Sequence, residues 1–112
     1  MKKVKANDDW YLFCPSDIEK AGLKPFHEIY GEEFENEYQK AVELGIGIKV
    51  EPKSIWDAMI KSQVESGKPY VMFKDNANKR NMQDNLGTIS QSNLCIEIFE
   101  FSREGYNAQC TL

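Results

Sequence analysis

The sequence has one histidine, three cysteines and no long apolar run. His27 stands alone, and Cys14, Cys95 and Cys110 are far apart, with no CxxC pair. A Cys/His zinc centre therefore lacks a ligand set. An odd cysteine count gives no disulfide framework and fits a reducing compartment with at least one free thiol. The longest apolar stretches are short, such as Tyr70-Val71-Met72-Phe73. A membrane span needs about 20 residues, so none is expected. Met1-Lys2-Lys3-Val4-Lys5 is basic but no apolar stretch follows, so no secretory leader is expected either. Basic residues are outnumbered: 14 Lys and Arg face 18 Asp and Glu, for a net charge of -4. That leaves no electrostatic basis for binding nucleic acid or an anionic membrane.

What remains is the composition of one globular domain: 112 residues, 41% hydrophobic and 29% charged. A mean hydropathy of -0.58 is polar for a chain that must close its own core. A chain this short buries roughly two-thirds of its unfolded surface at best, so marginal stability in isolation is expected.

The pattern reads as α/β. Trp10 to Cys14 is an apolar patch ending at Pro15. Ser16 and Glu19 have capping-box spacing, which predicts a helical turn running to Gly22. Pro25 to Tyr30 suggests a further turn, stopped by Gly31. Phe34, Tyr38, Ala41 and Val42 share one face of a helix over 32–44, ended by Gly45. Ile46, Ile48 and Val50 alternate as a short extended stretch before Pro52. A second helix is expected over 53–66, with Ile55, Trp56, Met59, Ile60 and Val64 as its apolar face and Gly67 at its end. Pro69 to Phe73 reads as a strand buried on both faces. From Lys74 to Ser92 the chain is polar, rich in amides and without periodicity, which suits a functional loop. Leu94 to Phe101 is a second strand candidate, Gly105 and Asn107 mark a turn, and 108–112 starts a further strand.

In Asn93-Leu94-Cys95-Ile96-Glu97-Ile98 an extended backbone would put Asn93, Cys95 and Glu97 on one face, and Leu94, Ile96 and Ile98 on the other. An amide, a sulfur and a carboxylate together can hold a polar substrate, form a reactive sulfur and exchange a proton. The same alternation also describes an ordinary half-buried strand with an inert cysteine. Cys110 follows Cys95 across the expected turn, so the two can be a disulfide pair or two unrelated thiols. Cys14 reads as packing and His27 as a surface residue.

These residues resemble one family, the large catalytic subunit of ribonucleotide reductase, of the type that works with a radical-generating small subunit. The resemblance is carried by Trp10-x-Leu12-Phe13-Cys14-Pro15, Gly31-Glu32-Glu33-Phe34-Glu35, Gln63-x-Glu65-x-Gly67-x-Pro69-Tyr70 and Lys74-Asp75-x-x-Asn78. Its most specific part is Asn85-Leu86-Gly87-Thr88-Ile89 followed by Ser92-Asn93-Leu94-Cys95-x-Glu97-Ile98. The resemblance implies a partial segment of a ten-stranded α/β barrel, distinct from the eight-stranded TIM barrel, with helices, one buried strand, a long polar loop and a finger-loop or hairpin end. It implies that Cys95 becomes a thiyl radical and takes the hydrogen from the ribose 3′ carbon. Glu97 would accept the 3′-hydroxyl proton, and Asn93 would hydrogen-bond the ribose hydroxyls. Leu94 and Ile96 complete the substrate-binding segment. Cys110 would be one of two cysteines that supply reducing electrons.

The family's subunit is several times longer. The second redox cysteine, the effector-binding loops, the phosphate loop and the radical-relaying tyrosines have no counterpart here. Met1-Lys2-Lys3-Val4 itself looks like an interior segment. Residues 1–112 are thus expected to form a single incomplete segment of the catalytic barrel, as from a split gene, an interrupted reading frame or a truncated gene model. The implied partners are the remaining segments, the metal-containing small subunit, thioredoxin or glutaredoxin, and a ribonucleotide substrate. The resemblance implies no cofactor on this segment, nucleotide effectors bound elsewhere, and a cytoplasmic setting. The alternatives are an inactive remnant or small interaction module that keeps the motif, and an independent thiol redox protein.

Overall fold

The computed structural model describes residues 2–111. Met1 and Leu112, the outer ends of two segments of the resemblance, lie outside the described residues. The elements are α1 (Lys2–Ala6), β1 (Trp10–Leu12), α2 (Pro15–Lys20), α3 (Gly31–Glu43), β2 (Ile48–Val50), α4 (Pro52–Ser66) and α5 (Lys74–Asn78). The chain divides into two compact units, one of residues 1–23 and 40–70, the other of residues 24–39 and 71–112. No helix among the described residues is long and apolar enough to cross a membrane.

In the first unit, β1 and β2 pair antiparallel, with Trp10 opposite Val50 and Leu12 opposite Ile48. The ammonium of Lys49 lies 2.7 Å from the Asp9 carboxylate, which raises the Lys49 pKa. Helix α2 opens at Pro15, whose fixed φ suits the first helical position. That moves the cap to Cys14 and leaves Ser16 inside the first turn, so the expected Ser16–Glu19 capping box does not form. The Ser16 hydroxyl instead lies 3.1 Å from the Cys14 sulfur. Helix α4 likewise opens on a proline and ends where Gly67 turns left-handed at φ 74°, donating its N–H to the Gln63 carbonyl. Its expected apolar face is not covered: Trp56 and Met59 are half-buried, but Ile55, Ile60 and Val64 are exposed, Val64 at 83%. Helix α1 contacts α4 but has five residues against fifteen, too few to shield it.

The second unit is held by polar side chains that bond to the backbone. Phe34 packs edge-on against Phe26 and tilted against Tyr38. The buried Glu37 carboxylate accepts the Lys24 N–H at 3.1 Å. From α5, the Lys74 ammonium donates to the carbonyls of Phe26, His27 and Ile29 at 3.0, 2.7 and 2.8 Å. Partial burial lowers its pKa. Asp75 accepts the Gly31 N–H at 3.1 Å. Asn78 is 4% exposed and grips Ile89 from both sides. Its amide nitrogen donates to the Ile89 carbonyl at 2.9 Å, and its amide oxygen accepts the Ile89 N–H at 2.8 Å. A side-chain amide thus reproduces the paired bonds of a sheet ladder. The stretch 74–92, expected to lack structure, contains α5 and this clasp.

Asn78→Ala should cost about 3 kcal/mol or more, because it leaves two backbone groups of the buried Ile89 without partners. Urea unfolding measures this directly. A loss under about 1 kcal/mol, the worth of a single ordinary hydrogen bond, would show that the clasp is not a main support.

The segments expected as strands later in the chain are not strands. Residues 69–73 are extended but belong to no ladder, and Tyr70, Val71 and Phe73 are 53%, 39% and 57% exposed. The expected buried strand is therefore corrected to an exposed extended segment. Residues 94–101 and 108–111 are also outside any sheet; an isolated bridge joins Arg103 to Tyr106 around the expected turn at Gly105. A strand needs a hydrogen-bonded neighbour, and among the described residues these segments have none. Among the described residues the buried hydrophobic side chains are Ile18, Ile29, Ala41 and Ile89, and Pro52 at the start of α4 is buried too.

Candidate active site

The segment expected to present one polar face is a tight turn. The Ile96 N–H bonds back to the Asn93 carbonyl at 3.2 Å, and Ile96 sits at φ 62°. A β-branched residue in the left-handed region is a strained outlier. The alternation of an extended backbone is lost with it. Leu94, expected on a buried apolar face, is 83% exposed, while Ile96 and Ile98 are half-buried.

The turn nonetheless gathers the polar residues. The Asn93 amide oxygen accepts the Ile98 N–H at 3.0 Å, closing the loop over Cys95 and Glu97. Cys110 arrives from beyond the Arg103–Tyr106 bridge, and its thiol donates to the Glu97 carboxylate at 3.1 Å. That donation is the main reason the Glu97 pKa is lowered, with help from Glu97's own backbone N–H and from Asn93. The same bond raises the Cys110 pKa, reinforced by desolvation and by the charge on Glu97. At neutral pH the pair is a carboxylate that accepts and a thiol that keeps its proton. Cys95 is exposed, and Cys95, Cys110 and Cys14 are all free thiols. Cys14 is remote in sequence from this turn, and its pKa is lowered chiefly by the Ser16 hydroxyl. No three His, Cys, Asp or Glu side chains among the described residues form a metal-holding group.

Beside the turn a hollow of about 220 Å³ is lined by Ser92, Asn93, Ile98, Ser102 and Cys110, among others. Ligand pockets usually measure about 300–1,000 Å³, so this hollow is too small to enclose a nucleotide. A larger hollow of about 750 Å³ in the same unit touches none of Asn93, Cys95, Glu97 or Cys110. The chemistry of the turn, not the size of the hollow, marks the candidate site.

Sequence reasoning missed the supports. The Gln83 amide oxygen accepts the Phe101 N–H at 3.0 Å, and the Asn81 amide donates to the Gly87 carbonyl at 2.9 Å. Gly87, at φ 151°, lies under the Phe101 ring; a Cβ there would sit 2.4 Å from a ring carbon. These contacts fix the return segment 98–101 behind the turn. The signal was the density of Asn and Gln over 74–92, which marks side chains bonding to loop backbone.

The raised Cys110 pKa is directly measurable. The thiolate is the reactive form, so alkylation of Cys110 by iodoacetamide should rise with pH at a midpoint above that of an ordinary thiol. Glu97→Gln removes both the charge and the charged acceptor, so the midpoint should fall and Cys110 should react faster at a fixed mildly alkaline pH. Each unit of midpoint shift corresponds to about tenfold in thiolate population. Identical pH profiles by mass spectrometry would show that the Glu97–Cys110 bond does not form in solution.

The profile of the family described as "Ribonucleotide reductase, barrel domain" matches residues 1–112. The chain is 45% identical over 113 residues to the ribonucleoside-diphosphate reductase large subunit of Plasmodium falciparum (isolate Dd2), covering 100% of this chain and 13% of that protein. It is 43% identical to the Danio rerio large subunit, covering 100% of this chain and 14% of the relative. For the Arabidopsis thaliana large subunit the identity is 42%, over 100% of this chain and 13% of the relative. The chain thus spans about one eighth of the length of these relatives. With its whole described length matched and its polar turn in place, the chain belongs to the ribonucleotide reductase family, within the barrel domain.

Proposed function

We propose that this chain is the part of a ribonucleoside-diphosphate reductase large subunit that carries the radical and proton-transfer groups. The observation that supports it best is the Cys110 thiol donating to Glu97 on the turn that also holds Asn93 and Cys95. Cys95, as a thiyl radical, removes the hydrogen atom from the ribose 3′ carbon. Glu97, ionised because its pKa is lowered, accepts the 3′-hydroxyl proton. Asn93 orients the ribose hydroxyls. As the ribose 2′-hydroxyl leaves as water, Cys110 and a second cysteine outside this chain supply the two electrons and two protons and join in a disulfide, and Cys95 returns the hydrogen atom to the 3′ carbon. Thioredoxin or glutaredoxin restores both thiols. The radical itself originates on a metal-containing small subunit, and the barrel is the ten-stranded α/β type. The setting is the cytoplasm, in keeping with three unpaired cysteines.

The segment does not do this alone. Cys95 is exposed, whereas a thiyl radical must be shielded from solvent. The adjoining hollow is also too small for a nucleotide. The rest of the subunit supplies the walls. Isolated, the chain should show no reductase activity.

The test places this chain in the Danio rerio large subunit in exchange for the matching 113 residues, with that protein's small subunit present. Reduction of a ribonucleoside diphosphate to the deoxy product supports the reading. A folded, small-subunit-binding chimera with no reduction favours the remnant alternative. Turnover by the isolated chain would refute the proposal.

A further inference from the structure

The Cys110 thiol and the Glu97 carboxylate meet although they stand thirteen residues apart in the chain. Packing does not hold the chain between them in register: among the described residues of 98–111 none is buried. Its contacts are mostly internal. Arg103 and Tyr106 exchange two backbone hydrogen bonds at 2.8 and 2.9 Å. The Arg103 guanidinium lies over the Phe101 and Tyr106 rings, 5.4 and 4.9 Å from their centres. The Ser102 hydroxyl donates to the Tyr106 carbonyl at 3.2 Å and accepts the Ala108 N–H at 3.5 Å. These contacts join 101–108 into one folded piece that ends two residues before Cys110. Among the described residues, one hydrogen bond ties 99–109 to the chain before Asn93. It is the Phe101 N–H donating to the Gln83 amide oxygen at 3.0 Å.

That acceptor stands on fixed backbone. The Gln83 N–H donates to the Asn81 amide oxygen at 2.8 Å. The Gln83 carbonyl accepts the Leu86 and Gly87 N–H groups at 2.9 and 3.3 Å. The Phe101 ring lies against Gly87, so the same loop meets Phe101 at both ring and backbone. We propose that Gln83 is a positioning residue for the reaction: by holding Phe101 it sets the register in which the Cys110 thiol reaches the Glu97 carboxylate. The proposal rests on the reading of Cys110 as reductant. Cys95 sits in the loop that the Asn93–Ile98 bond closes, so its place does not depend on Gln83. Loss of the Gln83 oxygen should leave hydrogen abstraction intact and displace the reductant. A substrate radical left without its reductant decomposes and releases free base.

Two variants test this. Gln83→Met keeps the length of the side chain and removes the acceptor, whereas Gln83→Glu keeps an acceptor oxygen. In the free chain, Gln83→Met should lower the Cys110 alkylation midpoint, as Glu97→Gln does, and Gln83→Glu should keep the parent midpoint. Glu97 and Cys95 are the ionisable groups that act on Cys110, and neither variant alters them. In the Danio rerio chimera with its small subunit, Gln83→Met should lower kcat about 10²-fold, the scale of a misplacement of about 1 Å, with KM little changed. Free base should replace deoxy product, and Gln83→Glu should restore the product. Protection of the Ile89 amide from hydrogen exchange, given by Asn78, checks that each variant is folded. Protection lost in Gln83→Met would make Gln83 a general support of the fold and overturn the inference. So would an unmoved midpoint, a midpoint that moves equally in both variants, or intact substrate in place of free base. If the parent chimera reduces nothing, the functional reading falls, and the free-chain midpoints still decide whether Gln83 sets Cys110 on Glu97.

Discussion

Cys95→Ser, in a reductase assembled around this chain, is expected to return the ribonucleotide untouched. An alcohol O–H bond is much stronger than a thiol S–H bond, so serine cannot carry the radical, and the ribose 3′ C–H bond is never broken. Cys110→Ser should fail differently. Its Cys95 is intact, hydrogen abstraction proceeds, and the substrate radical then lacks a reductant. It decomposes and releases free base while the radical is lost. Chromatography of the nucleotide pool and radical spectroscopy separate the two outcomes. The roles are wrong if Cys95→Ser releases base, or if both variants turn over like the parent. A Cys95–Cys110 disulfide formed during turnover would instead favour the thiol redox alternative.

Glu97→Gln is the second large effect. Glutamine keeps the shape of the side chain but cannot accept a proton, so turnover should fall about 10²–10⁴-fold while substrate binding changes little. The carboxylate also accepts the Cys110 thiol. The variant should therefore lose rate and lower the Cys110 alkylation midpoint together. A loss of rate with an unmoved midpoint would place Glu97 in the reaction but not on Cys110. Unchanged turnover would remove it from the mechanism.

Much of the helical structure was legible in the sequence. The face formed by Phe34, Tyr38, Ala41 and Val42 lies on α3, and Gly67 ends α4 as a left-handed cap. Helices close their backbone bonds internally, so local pattern suffices to place them. Strands need a partner: the stretch through Ile48 and Val50 has one in β1, but the later strand expectations failed. Apolar runs at 69–73 and 94–101 have strand composition, but no neighbour within the described chain pairs with them. The structure brings the four chemical residues near one turn, though not for the reason the alternation offered. Asn93, Cys95 and Glu97 converge through a turn with Ile96 at positive φ, not through alternation. Cys110 was separated from them by an unknown geometry, and its bond to Glu97 could not be read from spacing. The Lys74-Asp75-x-x-Asn78 motif was visible only as resemblance. Its backbone-holding role depends on carbonyls more than forty residues earlier in the chain.

The Asn78–Ile89 clasp also sets how the chain between them tolerates a change in length. The two residues are eleven apart, so the clasp closes a ring through ten intervening residues. The entropy of closing such a ring grows only logarithmically with its size, and doubling it costs about 0.6 kcal/mol. Asn81 and Gln83 pin the early part of the ring, and Gly87 pins its end, but Asp84, Asn85 and Leu86 are exposed. Extra residues inserted there would disturb one local turn and leave both ends of the ring held. The clasp makes this short stretch a natural place for insertions or labels, a few residues from backbone that Asn78, Asn81 and Gln83 hold by hydrogen bonds.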